Sequence, residues 1–281
     1  MINKIINTCL SVFRMLLLTR FFTKTPKIRR HSERCIVLGN GPSLPKLLAE
    51  NLDRLADYDL IAINHYGVSP EYALYKPSVY ILCDPAFWYA VESERFIEKT
   101  TQLYDAIVKV TDWDMQLYLP HLAKKRPDVI QHLAQNKHID VRFFNKTKVE
   151  GFDPFSRFAY DKQWGMPRAQ NIVIASLMLL IYSQYKDIYL FGTENDSFRY
   201  LWVDEDNRVR YSYQHFYKEP TKHTNDVVSN EKLYQQFESL SFAFKSYTQV
   251  EAYARHCGVN VYNATPNSCI DAFRRMSLPE K

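Results

Sequence analysis

Apolar residues at the start of the chain recur with helical spacing. Ile2, Ile5, Ile6, Cys9, Leu10, Phe13, Leu16, Leu17 and Phe21 fall on one side of residues 2–23, with Lys4, Asn7, Ser11 and Arg14 largely opposite. This pattern predicts an amphipathic helix. Lys4, Arg14 and Arg20 interrupt it too often for a membrane-spanning segment, which needs about 20 apolar residues. No small-residue cleavage site marks a signal peptide. The expectation is a helix lying on a membrane surface, with Lys24, Lys27, Arg29 and Arg30 behind it adding attraction to anionic lipid. The competing reading packs it on the protein's own core or on a partner.

From Cys35 onward short, nearly continuous apolar runs alternate with helical ones, as in parallel strands covered on both faces. Strands are predicted at 35–38, 60–63, 79–82, 107–110, 141–144, 187–191 and 259–263. Helices are predicted at 44–55, 96–99, 129–133, 169–182, 231–256 and 270–276. Residues 152–167 read as a loop, and 195–226, aperiodic and rich in polar and aromatic residues, as a candidate lid over an active site. The outcome is a Rossmann-like α/β fold with a mostly parallel sheet, its ligand crevice at the carboxyl ends of the strands. Residues 1–30 form the helix and basic tract and 31–281 the main domain, with no interdomain linker and no internal repeat.

With 281 residues, 46% of them hydrophobic and 24% charged, the chain can bury a full core. A net charge of +5 suits anionic ligands or a membrane surface but falls short of a nucleic-acid footprint. The five cysteines are scattered without Cys-x-x-Cys spacing, so neither a disulfide framework nor a zinc site is indicated, and a reducing setting fits best.

The chemistry collects at the strand ends. The first strand runs into Gly39-Asn40-Gly41-Pro42-Ser43-Leu44, a turn in which glycines permit positive φ and close approach of a ligand. Ser43 and the next amides would then donate to an anion at a helix N-terminus. It is neither a dinucleotide fingerprint nor a Walker loop, and an ordinary strand-to-helix turn is the alternative. Asn64-His65-Tyr66, Cys83-Asp84-Pro85 and Gly192-Thr193-Glu194-Asn195-Asp196 close three other strands.

These strand ends, in this order, resemble the family 42 bacterial sialyltransferases, which move sialic acid from CMP-sialic acid onto surface glycans. The resemblance runs from about residue 35 to the C-terminus. It matches Gly-Asn-Gly-Pro-Ser-Leu without a gap, Asn64 after the second strand, the 169–185 helix, Lys186–Glu194 and Pro266–Ser268. The same turn and Asp84-Pro85 are similar to motility-associated-factor glycosyltransferases and to archaeal-type hydroxymethylpterin diphosphokinases, so the motif marks a superfamily.

The resemblance implies a GT-A-like single nucleotide-binding domain. It places Gly39, Asn40, Gly41, Pro42 and Ser43 around the donor's phosphate and ribose, with Asn64, Asp84, Asn171, Gly192 and Glu194 on nucleotide or sugar. The family's catalytic histidine aligns near Ser241; His215, with His223 as second choice, stands in as general base. Arg199, Tyr200 and Tyr213 are the expected donors to the leaving phosphate, with no metal and no cofactor beyond the donor. Asp84 stands where the family has Asn, and a negative charge there would repel an anionic donor unless it binds hydroxyls or is paired, which points to a sugar other than sialic acid itself. The implied activity is an inverting CMP-sugar transferase acting on a glycan or glycolipid at the cytoplasmic face of the cell membrane, with no nucleic-acid partner; a homo-oligomer is compatible with it. The alternatives are a diphosphokinase using ATP and magnesium, or a membrane-surface module without catalysis.

Overall fold

The computed structural model describes residues 1–88, 94–212 and 226–280. Strands β1 (Arg34–Leu38), β2 (Asp59–Ile63), β3 (Val79–Ile81), β4 (Met115–Pro120), β5 (Ile139–Phe144), β6 (Asp187–Phe191), β10 (Asn260–Asn263) and β11 (Arg274–Arg275) form one sheet. Its order is β11-β10-β6-β1-β2-β3-β4-β5, every neighbouring pair parallel. The protein therefore has the Rossmann-like α/β fold expected of its alternating pattern. Between β1 and β6 the strand order reverses, since β1 leads outward to β2 on one side and pairs with β6 on the other. That reversal leaves a crevice beyond the two strand ends.

The sheet has a core on each face. Cys35 and Val37 of β1 face α8 (Ile172–Tyr182) and α9 (Leu233–His256), joined by α7 (Asp153–Asp161) and by Met15 of α1 (Ile2–Leu18). Ile36 and Leu38 face the other layer: α2 (Leu44–Glu50), α3 (Leu52–Leu55), α4 (Pro70–Tyr75), α5 (Glu94–Val110) and α6 (Pro127–Leu133). Helix α8 is buried from Ile172 to Ile181, which explains why its sequence is apolar on all sides.

Several elements depart from the pattern-based expectation. Residues 107–110, expected as a strand, are the last turn of α5, whose buried Leu103 and Ile107 lie one helical turn apart. The strand beyond is β4, where buried Gln116 satisfies its amide on Arg29: its Oε1 accepts from Arg29 N at 2.9 Å and its Nε2 donates to Arg29 O at 3.2 Å. The 44–55 helix breaks at Asn51, whose Nδ2 takes the Leu47 carbonyl at 2.7 Å. Residues 152–167 contain α7, with a proline at its tolerant first turn. Residues 270–276 are not a helix. Asn263 Nδ2 donates to Ile270 O at 3.0 Å, and Arg274–Arg275 pair with β10 as an edge strand. The candidate lid contains antiparallel strands β7 (Leu201–Val203), β8 (Val209–Ser212) and β9 (Asp226–Val228).

His121, just past β4, stacks on Phe143 with ring centroids 5.9 Å apart. Burial, followed by the charges of Lys124 and Arg20, pushes it down to about 4. Because its folded pKa lies below the usual value near 6.5, the unfolded chain binds the proton first and stability falls as pH drops from about 6.5 toward 4. A His121→Gln variant is expected to lose less melting temperature than the parent between pH 7 and pH 4.5. Equal losses would remove His121 from the acid response.

Candidate functional site

The crevice is made by two strand ends pressed together. Gly39 N–H donates to Phe191 O and Gly41 N–H to Gly192 O, each at 2.8 Å, so the β1 turn is laced to the end of β6. A Cβ on Gly39 would stand 2.2 Å from Gly192 O, and one on Gly41 1.5 Å from Glu194 Oε2. This corrects the reading of the motif. Neither Gly39 nor Gly41 takes positive φ; among the described glycines only Gly151, Gly192 and Gly258 do. The space the motif leaves open is filled by the chain's own β6 loop rather than kept for a ligand.

Glu194 accounts for a second correction. Ser43 N–H, expected to hold a phosphate, donates to Glu194 Oε1 at 2.9 Å. A carboxylate supplied by the protein satisfies the turn as an external anion would. Its other oxygen, Oε2, is buried and meets no hydrogen-bond donor among the described residues. Glu194 as a whole is 7% exposed. A buried carboxylate oxygen lacking a donor costs free energy until one arrives, so Oε2 is a vacant acceptor at the strand-order reversal.

Around it lies a cavity of about 300 Å³ touched by Asn40, Asn64, Asn171, Asn195, Tyr200 and Tyr247. Asn64 Oδ1 and Asn195 Nδ2 are likewise buried without partners among the described residues. Both asparagines hold the left-handed conformation, at φ 49° and 52°, a backbone state that asparagine tolerates better than most residues and that gathers at binding sites. Asn171 caps α8 by accepting from Ile174 N at 3.4 Å. Its Nδ2 donates to Tyr247 Oη at 2.5 Å and to Asn195 Oδ1 at 3.3 Å. The β6 loop is braced from behind by the segment that follows β10: Thr193 N–H donates to Thr265 Oγ1 at 3.1 Å, Ser268 Oγ to Thr193 O at 2.8 Å, and Asn263 Nδ2, at the end of β10, to Ser268 Oγ at 3.0 Å.

Of the residues singled out in the sequence, Gly39, Asn40, Gly41, Pro42, Asn64, Asn171, Gly192, Glu194 and Tyr200 converge on this cavity. Ser43 stands beside it, tied to Glu194. Asp84 is exposed at the end of β3, outside the cavity lining. Arg199 faces the other side of the Ser197–Tyr200 turn, into an open groove of about 740 Å³ that it shares with Arg275. His215, His223 and Tyr213 lie outside the described residues. Sequence reasoning named Asn195 only within the strand-end run after β6 and Ser268 only within the Pro266–Ser268 match, giving neither a role of its own, and it overlooked Tyr247 as a cavity residue and Thr265 as a brace. The polar residues Asn263 and Thr265, at and just past the end of the last predicted strand, were the available signal for the braces; a single tyrosine in a long helix offered none for Tyr247.

Among the described residues no group of three or more His, Cys, Asp or Glu side chains is placed to hold a metal ion. Compared with known proteins, the chain matches no family model and no curated relative.

Proposed function

We propose that the crevice binds the nucleotide of an activated sugar and that the chain is a glycosyltransferase, with a CMP-sugar as donor and a glycan or glycolipid as acceptor. The observation that carries this reading is Glu194. One oxygen is committed to the β1 turn, the other is buried without a donor among the described residues, and Glu194 is one of the residues lining a cavity that also holds four asparagines. A carboxylate with one open acceptor position beside asparagines is chemistry for reading hydroxyls, such as those of a ribose, rather than for holding a phosphate.

The phosphate then belongs elsewhere in the crevice. Asn171, Ile172 and Val173, at the start of α8, all line the cavity. The first-turn amides and dipole of that eleven-residue helix favour an anion there. Tyr200 supplies a phenol from the Ser197–Tyr200 turn, and Arg199 and Arg275 supply charge in the adjoining groove where an acid sugar or acceptor would lie. The placement of Tyr200 supports its role as a donor to the departing phosphate, whereas Arg199, in the adjoining groove, would meet the acid sugar or acceptor instead.

A thermal-shift panel tests the reading. CMP and CDP are expected to raise the melting temperature without magnesium, as any ligand selective for the folded state does. Donor hydrolysis across nucleotide sugars should single out CMP-linked ones. Stabilisation by ATP only in the presence of magnesium would move the chain to the diphosphokinase alternative, and no shift with any nucleotide would leave the crevice without this function.

A further inference from the structure

Helix α1 is docked the wrong way round for a helix that serves its own core. An amphipathic helix on a soluble domain ordinarily buries its apolar face. Here the buried side is narrow and mostly polar, with Ser11 and Met15 as its buried residues. Ser11 Oγ donates to Glu150 O at 2.7 Å and accepts from Glu150 N at 2.8 Å. Thr8 Oγ1 accepts from Phe152 N at 3.1 Å, and Thr19 Oγ1 donates to Trp164 O at 2.7 Å. Gly151 makes this approach possible, since a Cβ there would stand 2.1 Å from Thr8 Oγ1.

The opposite side is apolar and open. Ile5, Ile6, Leu10, Phe13, Leu16 and Leu17 are 43–69% exposed, and Phe22 beyond the helix is fully exposed. At 3.6 residues per turn the six helix positions just named span a sector of roughly 140° with no charge inside it. Arg14 flanks that sector, Arg20 and Lys24 follow it, and none of the three forms an ion pair with a described residue. Residues 1–30 contain no Asp or Glu, whereas beyond Arg30 acids outnumber Lys and Arg, so the chain's +5 excess resides wholly in this stretch.

We propose that α1 seats the protein on an anionic lipid surface, lying in the plane of the bilayer with its apolar face in the acyl boundary and Arg14, Arg20 and Lys24 at the headgroups. Charge selects this occupant. A second copy docked face to face would bring two acid-free basic segments against each other, whereas anionic lipid complements them. Length selects the in-plane geometry. Seventeen residues make a helix about 25 Å long, short of a hydrocarbon core of about 30 Å. No helix among the described residues is long and apolar enough to cross a membrane. This inference is independent of the crevice and stands or falls without it.

The test is co-sedimentation of the full chain with vesicles of phosphatidylcholine alone and of phosphatidylcholine mixed with phosphatidylglycerol. Binding is expected to the mixed vesicles, weaker on adding salt. It should drop on the order of a hundredfold in Leu10→Glu/Leu17→Glu, where two exposed leucines become charges. That variant should keep the parent's melting temperature, because both positions are already exposed. Equal binding of parent and variant, equal binding to both vesicle types, or no binding to either would overturn the proposal. So would sedimentation equilibrium showing a dimer that the double variant dissolves while vesicles leave the parent unbound.

Discussion

Gly39→Ala is expected to cost about 3 kcal/mol or more of folding stability, at or beyond the upper end of what overpacking usually costs. The added Cβ would sit 2.2 Å from Gly192 O and 2.7 Å from both Gly192 C and the Thr193 methyl, so it meets backbone rather than the movable end of a side chain. Neither wall has room to retreat. Gly39 N–H and Gly41 N–H are bonded to the same loop at 2.8 Å, and β1 and β6 are paired from Arg34–Asp187 to Leu38–Phe191. On its far side the loop is held by Thr265 and Ser268. Against a typical total of about 5–15 kcal/mol, such a loss would populate the unfolded state measurably in low urea. Gly258→Ala is the control. It has φ +69° but nothing within 4 Å, so it should cost only about 1 kcal/mol for the left-handed backbone. If urea unfolding places Gly39→Ala no lower than Gly258→Ala, the tight β1–β6 contact is not what the glycine is for.

The same contact shows how far the sequence reaches. β1, β2 and β6 were legible as apolar runs because parallel strands covered on both faces leave no polar interruption, and their ends drew attention because each run gives way abruptly to Asn, Gly or Glu. β4 was not, because its polar residues are satisfied by a distant segment. Gln116 bonds the backbone of Arg29, and Tyr118 Oη donates to Pro26 O at 2.9 Å, contacts that no local pattern encodes. At the site, sequence identified where the backbone needs glycine but not what occupies the space. The two fillers, Gly192 and Glu194, lie some 150 positions away, since Ser43 and Glu194 are separated by 151. Helix α1 follows the same logic. Its amphipathy was evident, whereas the choice of face depends on Gly151, which lets Thr8 approach.

Glu194→Gln separates the two uses of that carboxylate. The amide keeps the volume and retains an oxygen for Ser43 N–H, so the turn and the melting temperature should change little. It replaces the vacant acceptor with an NH₂ donor. A hydroxyl donated to a charged acceptor is worth about 1.5–3 kcal/mol, so CMP affinity should fall by on the order of 10–100-fold. Glu194→Ala would lose the same affinity and also strand the Ser43 N–H, adding about 1–3 kcal/mol of instability. Specific assignment to the ribose comes from a cycle with modified ligands. The parent should bind 2′-deoxy- or 3′-deoxy-CMP more weakly than CMP, and in Glu194→Gln that preference should disappear, because the group that read the missing hydroxyl is gone. Gly41→Ala should act in the same direction, since its Cβ would stand 1.5 Å from Oε2 and must displace the carboxylate. A Glu194→Gln variant that binds CMP as the parent does, with the parent's preference for the full ribose, would show that the nucleotide is read by other groups in the crevice.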